Sequence, residues 1–222
     1  AITDINWLAA PQMEAASLIR YRTRLEMFHI KSLELVHWDY WQRIKNIPLD
    51  AKIITIAGQN GSGKTTLLDA LRTLFGLECS MGRSYKHYAR HSGQQTAWLR
   101  AVVDNSAQGP QISNRPFRMS GLYDDEVTLF CRIEKNGGDW KRQYLMRGGR
   151  VELEQVQDAN DYLGVETYRR RLAYAGLSNA MGKVLALEQG ETDKLCEYSP
   201  RQLLDLVFQV FGDKEVLDAY DD

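Results

Sequence analysis

The chain has 222 residues, 28 Lys and Arg against 29 Asp and Glu, a formal net charge of −1, and 44% hydrophobic residues. That composition is ordinary for a globular protein and excludes an intrinsically disordered chain, and no apolar run approaches the ~20 residues of a membrane span. The length fits one large domain or two small ones. Three scattered cysteines, Cys79, Cys131 and Cys196, offer neither a metal spacing nor a disulfide framework, which points to a reducing cytosol. The first residues lack the basic-then-apolar order of a signal peptide. They also lack an initiator Met, so the sequence reads as processed or cut from a longer one. The near-zero charge hides a gradient. Residues 72–100 carry five basic side chains and one acidic, whereas residues 186–222 carry ten acidic and three basic. A basic middle suits phosphates, of a nucleotide or of DNA, or is an ordinary solvated face.

In chain order, residues 1–27 read as an N-terminal extension, with a short helix expected over residues 13–25. Residues 28–38 alternate loosely (Phe28, Ile30, Leu33, Leu35) and predict a strand. Residues 53–57, Ile-Ile-Thr-Ile-Ala, form a β-branched apolar run expected to be a buried strand. Residues 66–75 place Leu67, Leu68, Leu71, Leu74 and Phe75 at helical spacing, with Gly76 as a stop. A strand is expected over residues 97–103. A loop follows at 104–117, where Gly109, Pro110 and Pro116 fall. Residues 127–133 predict a strong strand, Asn136-Gly137-Gly138-Asp139 a hairpin turn, and residues 140–146 the returning strand. A second turn at Gly148-Gly149 leads to a short strand over residues 151–153. Residues 162–177 look helical, residues 184–188 look like a strand, and Pro200 opens a last helix with Leu203, Leu206, Val207, Val210 and Phe211 on one face.

Between the run at 53–57 and the helix stand Gly58-Gln59-Asn60-Gly61-Ser62-Gly63-Lys64-Thr65. They match G-x-x-x-x-G-K-[ST], the phosphate-binding P-loop. The chemistry explains the pattern. Glycines let backbone N–H groups turn toward phosphate oxygens, and the helix N-terminus adds partial positive charge. Lys64 is expected on the β- and γ-phosphates of ATP, and the Thr65 hydroxyl on Mg²⁺, with Thr66 next in the cradle.

A complete P-loop ATPase also needs an acidic position at the end of a buried apolar strand. Leu122-Tyr123-Asp124-Asp125-Glu126 has the acids without the strand, and Leu203-Leu204-Asp205 lies in an amphipathic helix. No N-K-x-D guanine signature is present. The site therefore reads as one half of a composite whose other lobe lies elsewhere.

Four segments over residues 28–222 resemble the N-terminal ATPase lobe of the SMC/Rad50 family, an α/β P-loop NTPase (ABC-type head) with an antiparallel β-hairpin insertion. These are residues 28–35 with Trp38, Tyr40 and Trp41, the P-loop, the hairpin over 127–151, and Ala186-Leu187-Glu188-Gln189-Gly190 followed by Ser199-Pro200. The last is similar to the family's Q-loop. The resemblance implies that Gln189 touches Mg²⁺ and the water near the γ-phosphate, which a neutral amide carbonyl is suited to do. It also implies that an arginine after the P-loop helix approaches nucleotide or DNA. Arg83 is the candidate, with Lys86 and Arg90 competing. Trp38, Tyr40 and Trp41 are candidates to flank the nucleotide, with core packing expected of at least one. Ser92-Gly93-Gln94-Gln95 mimics the family's S-G-G-Q signature but precedes the Q-loop, so it reads as coincidence.

The implied organisation is an extension (1–27), an ATPase N-lobe (28–200) and a helix entering a coiled-coil arm (201–222). The implied function is ATP-driven head engagement that organises DNA or extrudes loops. The partners implied are a second head in a homodimer, a C-terminal lobe of the same protein, kleisin and KITE-type subunits, and double-stranded DNA without sequence readout. The setting is cytoplasmic and nucleoid-associated, with no membrane. The segments at 188–193 and 211–217 look most like the SMC subunit of Wadjet-type bacterial condensins (JetC- or MksB-like), which act against plasmids. Rival readings are a Rad50- or RecN-type repair ATPase, marked by a zinc hook or nuclease partner, a P-loop small-molecule kinase with an arginine-rich lid, and a non-hydrolysing nucleotide-binding module.

Overall fold

The computed structural model describes residues 28–51, 53–107, 115–177 and 198–202. Among these residues five strands form one sheet: β1 (Ile30–Trp38), β2 (Trp41–Pro48), β3 (Thr96–Asp104), β4 (Glu126–Asn136) and β5 (Asp139–Gly148). Their order is β2-β1-β3-β4-β5, and every pairing is antiparallel. The expected hairpin over residues 127–146 is present as β4 and β5, closed by a turn at Asn136 and Asp139. It is continuous with β1 and β3 in a single sheet.

Among the described residues, three helices pack on one face: α1 (Lys64–Leu74), α2 (Tyr85–His91) and α3 (Val165–Tyr174). The sheet meets them with Leu33, Leu35, Leu99, Ala101, Val103, Leu129, Cys131, Ile133, Tyr144 and Met146, all buried in one core. Residues at alternate strand positions fall on one face, which is why odd-numbered residues of β1 face the helices. A left-handed backbone at His37 (φ 53) shifts the alternation, and Trp38 also joins the core. Tyr144 stacks on Tyr168 of α3 with ring centroids 4.2 Å apart and donates its hydroxyl to the Thr73 carbonyl of α1 at 3.0 Å. One aromatic side chain thus ties both helices to β5.

The stop expected at Gly76 is a full C-terminal cap. Gly76 is left-handed (φ 75), its N–H donates to the Thr73 carbonyl, and the Leu77 N–H donates to the Arg72 carbonyl. Gly176 repeats the arrangement after α3, with the Leu177 N–H on the Leu172 carbonyl. Pro200 does start a helical turn. Ser199 Oγ accepts from the Gln202 N–H while Gln202 Oε1 accepts from the Ser199 N–H, a reciprocal capping box.

The opposite face of the sheet holds a smaller cluster of Val36, Trp98, Phe130, Leu145, Leu153 and Val156. Beside it Glu34 and Arg100 are buried, 3% and 4% exposed. Arg100 donates to Glu34, to Glu152 and to the Val151 carbonyl, and Arg43 covers the other Glu34 oxygen.

Several expectations are corrected. Residues 53–57 form no strand and lie exposed, with Ile53 at 86%. A strand exists only where a partner strand takes its N–H and C=O groups, and no described strand runs beside this segment. Residues 151–153 are not a strand either, because a 3₁₀ turn at Leu153–Gln155 ends the excursion. β2 and α2 were not anticipated. The extension (1–27), the strand over 184–188, Gln189 and the arm helix beyond residue 202 lie outside the described residues.

Candidate functional site

The P-loop leads directly into α1. Gly61 (φ 81) and Gly63 (φ 90) are both left-handed, a backbone that favours glycine. Gly63 is the residue before the first helical turn, and no side chain caps that end. The first N–H groups of α1 therefore retain donor capacity along the helix axis, where the dipole is positive. A turn within the loop is closed by the Ser62 N–H on the Gln59 carbonyl at 3.1 Å. The Lys64 ammonium folds back across the loop and donates to the Gly58 and Gln59 carbonyls at 2.7 and 2.8 Å. Both bonds are exposed, so the ammonium is accessible at the mouth of the loop. Thr65 is exposed at the same end of α1. Its hydroxyl, a hard oxygen, fits a Mg²⁺ shell, and the amides and ammonium fit a triphosphate. Such an ion, held by Thr65, would supply charge neutralisation to the phosphates.

Glycine is required at two places for space as well as conformation. A Cβ on Gly58 would collide with Ser62 Oγ, and a Cβ on Gly63 would meet the Trp41 ring at 2.7 Å. Gly63→Ala is therefore expected to lower ATP affinity at least ~10-fold, since a left-handed alanine costs roughly 1–2 kcal/mol before the clash is relieved. Calorimetric ATP titration of the variant checks this, and unchanged affinity would contradict the geometry.

The aromatic residues of the first hairpin separate by role. Trp38 is a core residue that stacks on Tyr88 (4.6 Å) and donates its indole N–H to the Thr66 carbonyl of α1 at 3.0 Å. Trp41 lies against Gly63. Tyr40 is 76% exposed and stacks on His91. Of the three basic candidates, Lys86 is engaged with Asp139 at 2.7 Å and Arg90 is exposed on α2. Arg83 lies 3.3 Å from Asp69 of α1 and donates to Ser80 Oγ at 2.7 Å. Gln189 lies outside the described residues.

The acids weighed as a strand-end pair are used structurally. Asp125 pairs with Arg115 at 2.6 Å, Asp124 packs against Gly148, and Glu126 accepts from Lys31 and Arg150. Arg150 and Lys31 hold the Glu126 carboxyl below its usual range. Ser92 to Gln95 terminates α2 and leads into β3, with Ser92 Oγ on the Ala89 carbonyl. Among the described residues no group of three metal-ligating side chains occurs, and no helix is long and apolar enough to cross a membrane.

Sequence reasoning missed Asp69. It looked like a polar residue on an amphipathic helix, yet it is fully buried and accepts from the Ser80 N–H and the Tyr88 hydroxyl. The apolar spacing around it (Leu67, Leu68, Leu71) carries no sign of burial at position 69.

A family model described as the P-loop containing region of AAA domain matches residues 30–78. The chain is 39% identical over 200 residues to the chromosome partition protein Smc of Synechococcus sp., which covers 84% of this chain and 16% of that protein. It is 24% identical over 191 residues to structural maintenance of chromosomes protein 2 of Gallus gallus, covering 83% of this chain and 14% of that one. The chain thus spans about a sixth of the length of these relatives. A solved structure of the recombination mediator protein RecF with ATP overlaps 57% of this chain and 28% of its own, at 19% identity and a TM-score of 0.36. The fold is that of a P-loop NTPase, with mixed α/β content and a five-stranded antiparallel sheet. The sequence similarities support an SMC-family ATPase head.

Proposed function

We propose, from the premise that this chain belongs to the SMC family, that it is the N-terminal, ATP-binding lobe of an SMC head. ATP is held by the loop and helix end from Gly58 to Thr66, Lys64 contacts the β- and γ-phosphates, and Thr65 with Gln189 holds Mg²⁺. Lys64 and Gln189 act in hydrolysis, and Arg83 contributes near the nucleotide. The observation that carries this reading is the left-handed Gly61 and Gly63 opening an uncapped helix N-terminus at Lys64, with the apolar run at 53–57 exposed just before it. In this proposal the exposed β-branched run becomes a strand only when its sheet partners are present. The missing sheet partners, and the acid that the described residues lack, belong in this proposal to a C-terminal lobe.

In the same proposal two heads sandwich ATP as a homodimer, and hydrolysis separates them to organise double-stranded DNA or extrude loops. DNA contacts run through phosphates without base readout. Kleisin and KITE-type subunits complete the complex, the protein is nucleoid-associated in the cytoplasm, and the subfamily is the Wadjet-type plasmid-defence condensins. Residues 1–27 extend the lobe, residues 28–200 form it, and residues 201–222 enter the arm. The test is ATP hydrolysis by the chain alone and by the full head. Turnover only in the full head supports the reading, and robust turnover by the isolated chain overturns it.

A further inference from the structure

Asp69 sits on α1 five positions after Lys64 and is fully buried. Its Oδ1 accepts the Ser80 N–H at 2.7 Å, and its Oδ2 accepts the Tyr88 hydroxyl at 2.6 Å. Burial and the Asp69 carboxylate both push the Tyr88 hydroxyl far above its ordinary range, so it remains a donor. Both carboxylate oxygens are therefore satisfied by neutral donors alone. Arg83 also approaches Oδ2, with Nε at 3.3 Å, but Nε is buried with no hydrogen-bond partner. The guanidinium is held by charge and by one bond to Ser80 Oγ, and its side chain is 35% exposed. The turn that carries it passes through two left-handed residues, Met81 (φ 51) and Gly82 (φ 70).

The asymmetry has a consequence. If Arg83 leaves, Asp69 keeps a partner on each oxygen, and the buried Nε without a partner gains solvent or a ligand. Departure costs the contact with Asp69 and the Arg83 bond to Ser80 Oγ, while each Asp69 oxygen keeps a donor. A bound anion need only offer Arg83 a better-aligned acceptor to shift it.

We propose that Asp69 is a positioning residue that parks Arg83 on the P-loop helix, with Tyr88 sharing the carboxylate so that the triphosphate of a bound nucleotide can take the arginine over. The proposal rests on the ATP-binding reading above. It makes Tyr88 a regulator of the hold. Its hydroxyl competes with Arg83 for Oδ2, and its ring and backbone carbonyl engage Trp38 and the Asp39 N–H, so the device is braced against β1.

The test uses the full-length protein, with ATP affinity and ATP turnover measured separately. Tyr88→Phe leaves Arg83 as the remaining side-chain partner of Oδ2 and tightens the hold. Turnover is expected to fall about tenfold, the scale of one charge-assisted hydrogen bond, with ATP affinity unchanged within about twofold. In an Arg83→Ala background the same change is expected to have no further effect on turnover. Asp69→Asn loosens the hold and is expected to leave turnover at or above wild type, a sign opposite to Tyr88→Phe that general damage to the fold does not give. Should Tyr88→Phe fail to fold, Asp69→Asn decides: turnover lowered with affinity intact overturns the proposal. An equal fall for Tyr88→Phe in both backgrounds, or an Arg83→Ala variant with wild-type turnover, also overturns it. Lys64→Ala, run alongside, separates this from failure of the ATP reading, which shows as unchanged ATP affinity in that variant.

Discussion

Lys64→Ala is expected to lower ATP affinity by at least ~100-fold, the loss of a charged donor to two phosphates. It is expected to leave the unfolding midpoint of the chain almost unmoved. The two effects separate because the ammonium makes only exposed bonds to the Gly58 and Gln59 carbonyls, and water replaces it there. Calorimetric titration with Mg-ATP and a urea melt, run on the same preparation, measure both. Weakened binding with an intact fold places Lys64 on the phosphates. A variant that binds ATP normally means the loop holds no nucleotide, and a variant that unfolds means the ammonium has a structural task not seen in its contacts.

Arg100→Met carries the second large effect, on stability. The side chain is buried and makes three bonds, to Glu34, Glu152 and the Val151 carbonyl. Removing it strips one partner from the buried Glu34 and orphans a carbonyl. The expected cost is about 3 kcal/mol, the lower end for breaking a buried pair, because Arg43 still covers one Glu34 oxygen. Replacing both charges together, as Glu34→Leu with Arg100→Met, is expected to recover most of that loss, since no buried charge is then left unpaired. Urea denaturation of the single and double variants checks it. A double variant as unstable as the sum of its singles would show that each side chain matters through packing alone.

The parts of the fold legible in the sequence are those that local rules determine. The P-loop helix, its glycine stop and the β4–β5 hairpin each follow from spacing within a few residues. So does the Ser199-Pro200 helix start, whose capping partner Gln202 lies three positions on. β2 was not legible because its period is not two. Leu33 pairs with Ile47 and Leu35 with Ile44, so β2 spends one more residue than β1, and Asn46 is left-handed there (φ 55). Trp41, Ile44 and Ile47 consequently recur every third position, a pattern that matches neither template. The run at 53–57 misled for the opposite reason. Its β-branched composition is correct for a strand, but a strand also needs partners, and those are not among the described residues.

The site divides in the same way. The glycines, Lys64 and Thr65 announce themselves because backbone conformation and phosphate chemistry demand those residue types at that spacing. The supports behind them do not. Asp69, Tyr88 and Trp38 meet only through tertiary contacts, between α1, α2 and β1. The buried pair of Glu34 and Arg100 spans 66 positions in the chain. No local pattern encodes such pairs, because each residue alone is an ordinary polar residue on an amphipathic element.

In the proposed reading, the chain holds ATP but only half of what hydrolyses it. Steady-state phosphate release with Mg-ATP at saturating nucleotide, measured for residues 1–222 alone and for the full-length protein, tests it most directly. No release above background is expected from the chain alone. Release by the full-length protein is expected at a rate per molecule that rises with protein concentration, as two heads must meet. Turnover by the isolated chain, independent of its concentration and abolished by Lys64→Ala, would contradict it.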